Sequence, residues 1–325
     1  MSGAPTKRKS ALPDLIEGLK RGDRRAVARL ISMVENGSQD LRAAVKALAP
    51  LAGKAMIVGL TGSPGVGKSS LTSALVAAFR AKDRTVGVLA VDPSSPFTGG
   101  ALLGDRVRMQ DHATDPRVFI RSMASRGHLG GLSWATPQAL RVMDAGGADV
   151  ILLETVGVGQ AEVEVAGTAD TTLVLLAPGM GDGIQVAKAG ILEIADVFVI
   201  NKAERDGAAH LARDLKAMLE LGAKGEWEPP IVKTTAIDGH GVEELVAAIE
   251  AHWAYLEESG ELRKKRLHRA ATEVREIALS SMRVLIGDVG EDGELAELAG
   301  KVLEGSMDPF EAAEHLVERF HDSSS

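Results

Sequence analysis

From Ala55 to Tyr255, short runs of Val, Ile and Leu alternate with stretches in which apolar residues recur at helical spacing. These runs are almost continuously apolar, which is typical of parallel strands buried on both faces. Because strands and helices alternate, we expect an α/β fold in which a mostly parallel sheet is covered by helices. The predicted strands are Met56–Leu60, Val86–Val91, Val118–Ile120, Val150–Leu153, Thr172–Leu176, Val197–Ile200 and Ile231–Thr234.

Helical patterns without strands flank this region on both sides. We therefore expect a helical N-terminal extension over residues 1–54, an α/β domain over 55–255 and a helical region over 256–325. Cap and stop signals place the first helices, and apolar spacing places the later ones. The predicted helices are Pro13–Lys20, a helix from a cap at Asp23 to a stop at Asn36-Gly37, Gln39–Leu48, Val242–Trp253, Glu261–Ile286 and Glu291–Phe320.

Apolar residues also recur along the C-terminal helices, which carry no candidate catalytic group. We expect them to be buried against a second copy of the chain, because soluble oligomers favour twofold symmetry. The 256–325 region would then be the dimerisation region of a homodimer. The positions are Leu267, Val274, Ile277, Leu298, Val302, Leu316 and Phe320.

Composition narrows the classes of function. A net charge of −8 over 325 residues argues against nucleic acid as the main partner. No apolar run approaches the roughly 20 residues that span a bilayer, so we expect no membrane association and a cytoplasmic location. The absence of cysteine excludes disulfides and thiolate metal sites. The one basic run, Arg263–Arg266 with Arg269, is either a solvated helix face or a partner-binding patch.

The segment GLTGSPGVGKSS, residues 59–70, has the spacing of a phosphate-binding P-loop between a predicted strand and a predicted helix. In such a loop, backbone N–H groups and a helix N-terminus bind the phosphates. Lys68 would bridge the β- and γ-phosphates, and the Ser69 hydroxyl would bind Mg²⁺. The expected nucleotide-binding residues here are Gly62, Ser63, Pro64, Gly65, Val66, Gly67, Lys68, Ser69 and Ser70.

Two later strand ends carry groups suited to a guanine base. Asn201, Lys202 and Glu204 follow the sixth predicted strand in nearly the sequence NKxD that reads guanine, with Glu in place of Asp. A carboxylate there accepts hydrogen bonds from guanine N1–H and the 2-amino group, which adenine lacks. The backbone of Thr235, Ala236 and Ile237 follows the next strand and would cap guanine O6. We therefore expect GTP and GDP as ligands.

Three carboxylates compete for catalytic and magnesium roles on the phosphate side: Asp92, Asp105 and Glu154. Asp92 and Glu154 follow predicted strands, and ligands collect at the carboxyl ends of strands in open α/β sheets. Each of the three is a candidate magnesium-shell or water-orienting group, and the alternative for each is a residue of a solvated loop. Gly157 would contact the γ-phosphate. It is followed by Val158, where many regulatory GTPases have a water-positioning Gln, so we expect slow intrinsic hydrolysis.

Two glycine-rich segments, Phe97–Gln110 and Ala177–Lys188, are candidate movable elements because glycine permits large changes in φ and ψ. The alternative for each is an ordinary turn. The second segment carries the candidate switch residues Asp182, Gln185 and Lys188.

Six segments extend these motifs: GSPGVGKSS, VDPSSPFTGGALLGDRVRM, SRGHLGGLSWAT, ETVGVGQAEVEV, APGMGDGIQ and NKAE. Together they closely resemble the MeaB/ArgK family of GTPases, and the resemblance runs from about Ala11 to Phe320. It implies a homodimeric P-loop GTPase that attends adenosylcobalamin-dependent methylmalonyl-CoA mutase, gates cofactor loading and protects the mutase from inactivation. It also implies that Phe97–Gln110 and Glu154–Val165 sense phosphate, and that Ala177–Lys188 faces the partner. The family's usual NKAD is NKAE here.

Three other interpretations remain open. A P-loop small-molecule kinase would transfer phosphate to a metabolite, and a binding module would hold nucleotide without hydrolysing it. A nickel-insertion type of metallochaperone GTPase would need a His-rich or Cys-containing site, but the eight histidines are scattered and Cys is absent.

Asp238-Gly239-His240-Gly241 partly matches a cobalamin-binding signature, and we expect a structural turn there.

Overall fold

A computed structural model of the chain describes residues 12–92, 112, 114–124, 135–155, 161–179, 191–221, 225–286 and 293–322. The strands among these residues are β1 Met56–Thr61, β2 Val86–Asp92, β3 Val118–Ala124, β4 Val150–Thr155, β5 Thr171–Leu176, β6 Val197–Asn201 and β7 Ile231–Thr234. These seven strands form one parallel sheet in the order β3-β2-β4-β1-β5-β6-β7. This sheet confirms the predicted fold class.

Helices cover both faces of the sheet. The helices are α1 Leu12–Lys20, α2 Arg24–Glu35, α3 Leu41–Leu48, α4 Lys68–Ala81, α5 Thr136–Ala145, α6 Ala161–Thr168, α7 Ile191–Ile194, α8 Ala208–Leu221, α9 Val242–Ser259, α10 Glu261–Ile286, α11 Glu294–Leu303 and α12 Pro309–Asp322. Side chains of β4 alternate between the faces of the sheet. Val150 and Leu152 pack with α4 and α9, and Ile151 and Leu153 pack with α1, α2, α3 and α5.

The first three helices form as their local signals predict, and they share a core with the sheet. The Asp23 carboxylate accepts a hydrogen bond from the N–H of Arg25 at the start of α2, and Asn36 caps its end. Leu30 and Ile31 of α2 are almost fully buried in the same core as β2, β4 and α5.

The chain divides into two compact units, residues 1–266 and 267–325. Within the second unit, the expectation of one helix over Glu291–Phe320 is wrong, because α11 and α12 are separate. Gly305 takes a φ of +74° after α11, where glycine is favoured. The Asp308 carboxylate then accepts hydrogen bonds from the N–H groups of Phe310 and Glu311, so a new helix begins there.

Two residues of the basic run, Lys265 and Arg266, are partly buried in ion pairs, which neither of the two interpretations of the run predicted. The Arg266 guanidinium contacts the fully buried Asp170 carboxylate at 2.9 Å and donates to the carbonyls of Gly53 and Ala55. Asp170 also accepts a hydrogen bond from the N–H of Ile57 at 3.0 Å. Arg266 and Asp170 therefore anchor the start of β1.

The neighbouring Lys265 donates to Asp196, which joins the start of β6 to α9 through the buried His252. Burial raises the pKa of Asp196, but the His252 hydrogen bond and the charges of His252 and Lys265 outweigh it and hold the pKa below its ordinary value. Asp196 therefore stabilises the fold above its ordinary pKa of about 4, and this contribution is lost as the pH falls through its lowered pKa.

Replacing Arg266 with Met should lower the free energy of unfolding by about 3 kcal/mol, because a buried carboxylate loses its cation. Chemical denaturation followed by circular dichroism measures this loss. Lys264→Met is the matched control, since Lys264 pairs with Glu261 in solvent and its removal should change little. Equal effects of the two variants would show that the Arg266 pair does not stabilise the fold.

Candidate nucleotide site

The P-loop connects β1 to α4, and two of its glycines are required by close neighbours. Gly67 precedes α4 with a φ of +96°, and a Cβ there would lie 2.4 Å from Nδ2 of Asn201. Gly62 has a φ of +144°, and a Cβ there would lie 2.4 Å from the carbonyl oxygen of Leu175. The loop is therefore closed against the ends of β5 and β6, in a conformation that L side chains rarely adopt.

Lys68 is buried and folds back over this loop. Its Nζ donates to the carbonyl oxygens of Gly62 at 2.6 Å and Ser63 at 3.2 Å. These contacts hold the Lys68 ammonium beside the loop and the N-terminus of α4. Phosphate oxygens at this place would accept hydrogen bonds from the same ammonium and from the backbone N–H groups.

Glu154 lies near the carboxyl end of β4, in register with Leu60 of β1, and is only 4% exposed. The Ser69 hydroxyl at the start of α4 donates to its Oε1 at 2.7 Å. A hydroxyl and a carboxylate are hard oxygen donors of the kind that Mg²⁺ takes in nucleotide sites. Ser69 and Glu154 therefore fit a magnesium ion. The Oγ1 of Thr72, a residue that the sequence analysis missed, lies 2.9 Å from Oε2 of Glu154.

The buried Asn201 side chain joins three loops. Its Nδ2 donates to the carbonyl of Val66 in the P-loop at 2.9 Å. Its Oδ1 accepts from the N–H of Ala236 and from the hydroxyl of Thr234, both at 3.2 Å. The phosphate loop and the two predicted base-side loops are thereby held together.

The other base-side residues lie beside this junction. Lys202, with a φ of +56°, donates from Nζ to the carbonyl of Gly65 at 2.7 Å. The half-exposed Glu204 accepts at Oε2 from the hydroxyl of Thr235 at 3.0 Å. The side chain of Ile237 is exposed, which leaves only its backbone for a role at the base. The Glu204 carboxylate is thus accessible to solvent at the end where a purine base is expected.

A family model described as methylmalonyl-CoA mutase-associated GTPase MeaB matches residues 27–287. The chain belongs to the MeaB family. It is accordingly a P-loop GTPase, and the family implies that it binds GTP and GDP.

Relatives along most of the chain agree with this membership. A Pyrococcus horikoshii protein is 49% identical over 312 residues, covering 95% of this chain and 98% of its own. The Escherichia coli K12 GTPase ArgK is 36% identical over 275 residues, 82% of this chain and 83% of its own. A mitochondrial methylmalonic aciduria type A homolog from Caenorhabditis elegans is 31% identical over 327 residues, 94% of this chain and 82% of its own.

A solved structure supports the fold of this MeaB family member. The crystal structure of a LAO/AO transport system kinase matches it with a TM-score of 0.72 and 26% identity, covering 98% of this chain and 100% of that chain.

Several predicted site residues lie outside the described part of the chain, wholly or in their side chains. Asp92 is the last residue of β2, but its side chain is not described. Phe97–Gln110 is not described, and Glu154–Val165 and Ala177–Lys188 are described only in part. The remaining residues outside the described part of the chain are Asp105, Gly157, Asp182, Gln185 and Lys188.

The partial cobalamin-binding signature forms a turn, as expected. Thr235 pairs with His240 across it. Gly241 precedes α9 with a φ of +74°, and a Cβ there would lie 1.9 Å from the carbonyl oxygen of Lys233.

Two features are absent from the described part of the chain. No group of three or more His, Asp or Glu side chains there is placed to hold a metal ion. No helix among the same residues is long and apolar enough to cross a membrane.

Proposed function

We propose that this GTPase attends adenosylcobalamin-dependent methylmalonyl-CoA mutase, gates the loading of its cofactor and protects it from inactivation. The observation that carries this proposal is the match of the MeaB family model, whose description names the mutase, to residues 27–287. The name of the Caenorhabditis elegans relative refers to methylmalonic aciduria and supports it further.

In this proposal, Lys68 exchanges its contacts with the carbonyls of Gly62 and Ser63 for the β- and γ-phosphates. Ser69 and Glu154 hold Mg²⁺, with Asp92 and Asp105 as further candidates for the magnesium shell or for orienting water. When bound, the magnesium ion would neutralise part of the negative charge of the phosphates. The backbone N–H groups of the loop bind phosphate oxygens at the N-terminus of α4.

The same proposal assigns base recognition to Glu204. Its carboxylate is accessible, and the Thr235 hydroxyl holds one of its oxygens, which supports its use in place of the usual Asp. Asn201 joins the loops, and Lys202 packs along the base.

The chain should bind GTP at least about 10³-fold more tightly than ATP, because adenine leaves the carboxylate without donors. Glu204→Gln should reduce this preference, since an amide presents a mismatched donor to guanine. Titration calorimetry measures both affinities. Asp206→Asn, an exposed carboxylate two residues away, is the matched control and should keep the preference. Equal affinities of the wild type for ATP and GTP would contradict the role of Glu204.

The proposed homodimer rests on an apolar stripe along α10. Leu267, Val274 and Ile277 are 69%, 67% and 53% exposed in the single chain. A second copy would bury these residues. Leu298 on α11 is already buried within the chain, whereas Leu303, Phe310 and Val317 on α11 and α12 are exposed and offer further apolar surface to a partner copy.

A switch requires its partner to distinguish the GTP-bound and GDP-bound states. By linkage, the mutase must then alter the relative affinities for GTP and GDP by the same factor, typically about 5–150-fold. We propose that Asp182, Gln185 and Lys188 transmit this coupling. Because Val158 replaces the usual Gln, intrinsic hydrolysis is slow and the mutase accelerates it.

Single-turnover hydrolysis of GTP with and without the mutase tests this coupling. Lys188→Ala and Asp182→Ala should reduce the stimulated rate much more than the basal rate. Lys216→Ala, an exposed lysine on α8, should change neither rate. Proportional losses of basal and stimulated rates would contradict the switch role, and no stimulation by the mutase would remove the partner from the proposal.

A further inference from the structure

Thr72 lies one turn after Ser69 on α4, and the hydroxyls of both residues contact the carboxylate of Glu154. Its side chain is fully buried, and its Oγ1 lies 2.9 Å from Oε2 of Glu154. Ser69 occupies the other carboxylate oxygen, Oε1, at 2.7 Å. Residues three apart share one face of a helix, so the spacing of these two hydroxyls matches the two oxygens of one carboxylate.

The proton of Thr72 has two possible acceptors, because Oγ1 also lies 3.0 Å from the carbonyl oxygen of Lys68. That carbonyl is four residues earlier in α4, where the backbone N–H of Thr72 is its regular helical donor. An ionised carboxylate is also a stronger acceptor than a carbonyl. The Thr72 hydroxyl therefore donates to Glu154.

This contact restricts the glutamate side chain. A Glu carboxylate can rotate about its side-chain bonds, and contacts at both oxygens restrict that rotation more than a contact at one oxygen. Donation from Thr72 to Oε2 fixes the plane of the carboxylate and aims Oε1 at Ser69. Both hydroxyls belong to the helix that begins at the P-loop, so the carboxylate is held in register with the phosphate site.

We propose that Thr72 is a positioning residue for the magnesium site, holding Glu154 so that it and Ser69 are oriented before the ion binds. The inference rests on the proposed magnesium roles of Ser69 and Glu154. Thr72 itself touches neither nucleotide nor metal and acts only through the carboxylate.

The test compares Thr72→Val, which keeps the branched shape but removes the hydroxyl, with Thr72→Ser, which keeps the hydroxyl. Thr136→Val is the matched control. Thr136 is also fully buried, and its hydroxyl has no hydrogen-bond partner in the structure, which describes only part of the chain. Thr72→Ala provides the same comparison if the Val variant does not fold, as judged by thermal unfolding.

Release of a fluorescent GDP analogue at increasing Mg²⁺ concentration gives the apparent magnesium affinity of the GDP complex without hydrolysis. Thr72→Val should weaken this affinity by about tenfold or more, the effect of losing a hydrogen bond to a charged group. Thr72→Ser and Thr136→Val should remain close to the wild type. Single-turnover hydrolysis should follow the same order at limiting Mg²⁺.

A stable Thr72→Val variant with wild-type magnesium affinity would overturn the proposal. Equal losses in Thr72→Val and Thr72→Ser would overturn it too, because they would assign the effect to packing. If Mg²⁺ does not affect GDP release from the wild type, the magnesium roles of Ser69 and Glu154 fail, and the Thr72 proposal falls with them. The first two outcomes leave those roles intact.

Discussion

The arrangement of the nucleotide site depends on one buried amide, the side chain of Asn201. It contacts the P-loop at Val66 and the loop after β7 at Ala236, and its own backbone begins the loop that carries Lys202 and Glu204. The P-loop follows β1, and β5 separates that strand from the neighbouring β6 and β7, which lead into the other two loops. Gly67 lacks a Cβ at the point where the amide reaches the P-loop. The distance between the phosphate-binding part and the base-binding part of the site is therefore set by side-chain hydrogen bonds as well as by the sheet.

The phosphate end is fixed by β1 and β4. Parallel pairing sets Leu60 against Glu154, which brings the carboxylate beside the start of α4. The other end of β1 is anchored by Asp170 and Arg266. The start of the strand that leads into the P-loop is thus held by charged groups, and its carboxyl end pairs with the strand that carries Glu154. These contacts hold the loop in place relative to the sheet.

Much of the fold and of the nucleotide site could be predicted from the local sequence. Strand runs, the caps at Asp23 and Asn36 and the P-loop spacing depend on neighbouring residues, so the sequence alone indicates them. The ion pair of Arg266 joins residues 96 positions apart, and a basic run carries no signal for such a partner. Thr72 was missed for the same reason. The break between α11 and α12 did have a local signal, Gly305 followed by Asp308-Pro309, which a continuous apolar pattern obscured.

The most direct test of the role of Asn201 is the affinity of the full chain for GDP, measured by titration calorimetry for the wild type and Asn201→Ala. The substitution leaves the carbonyl of Val66 and the N–H of Ala236 without their partner, so both loops lose their common attachment. We expect GDP affinity to fall by about tenfold or more while the variant remains folded. A folded variant that binds GDP as tightly as the wild type would contradict the account.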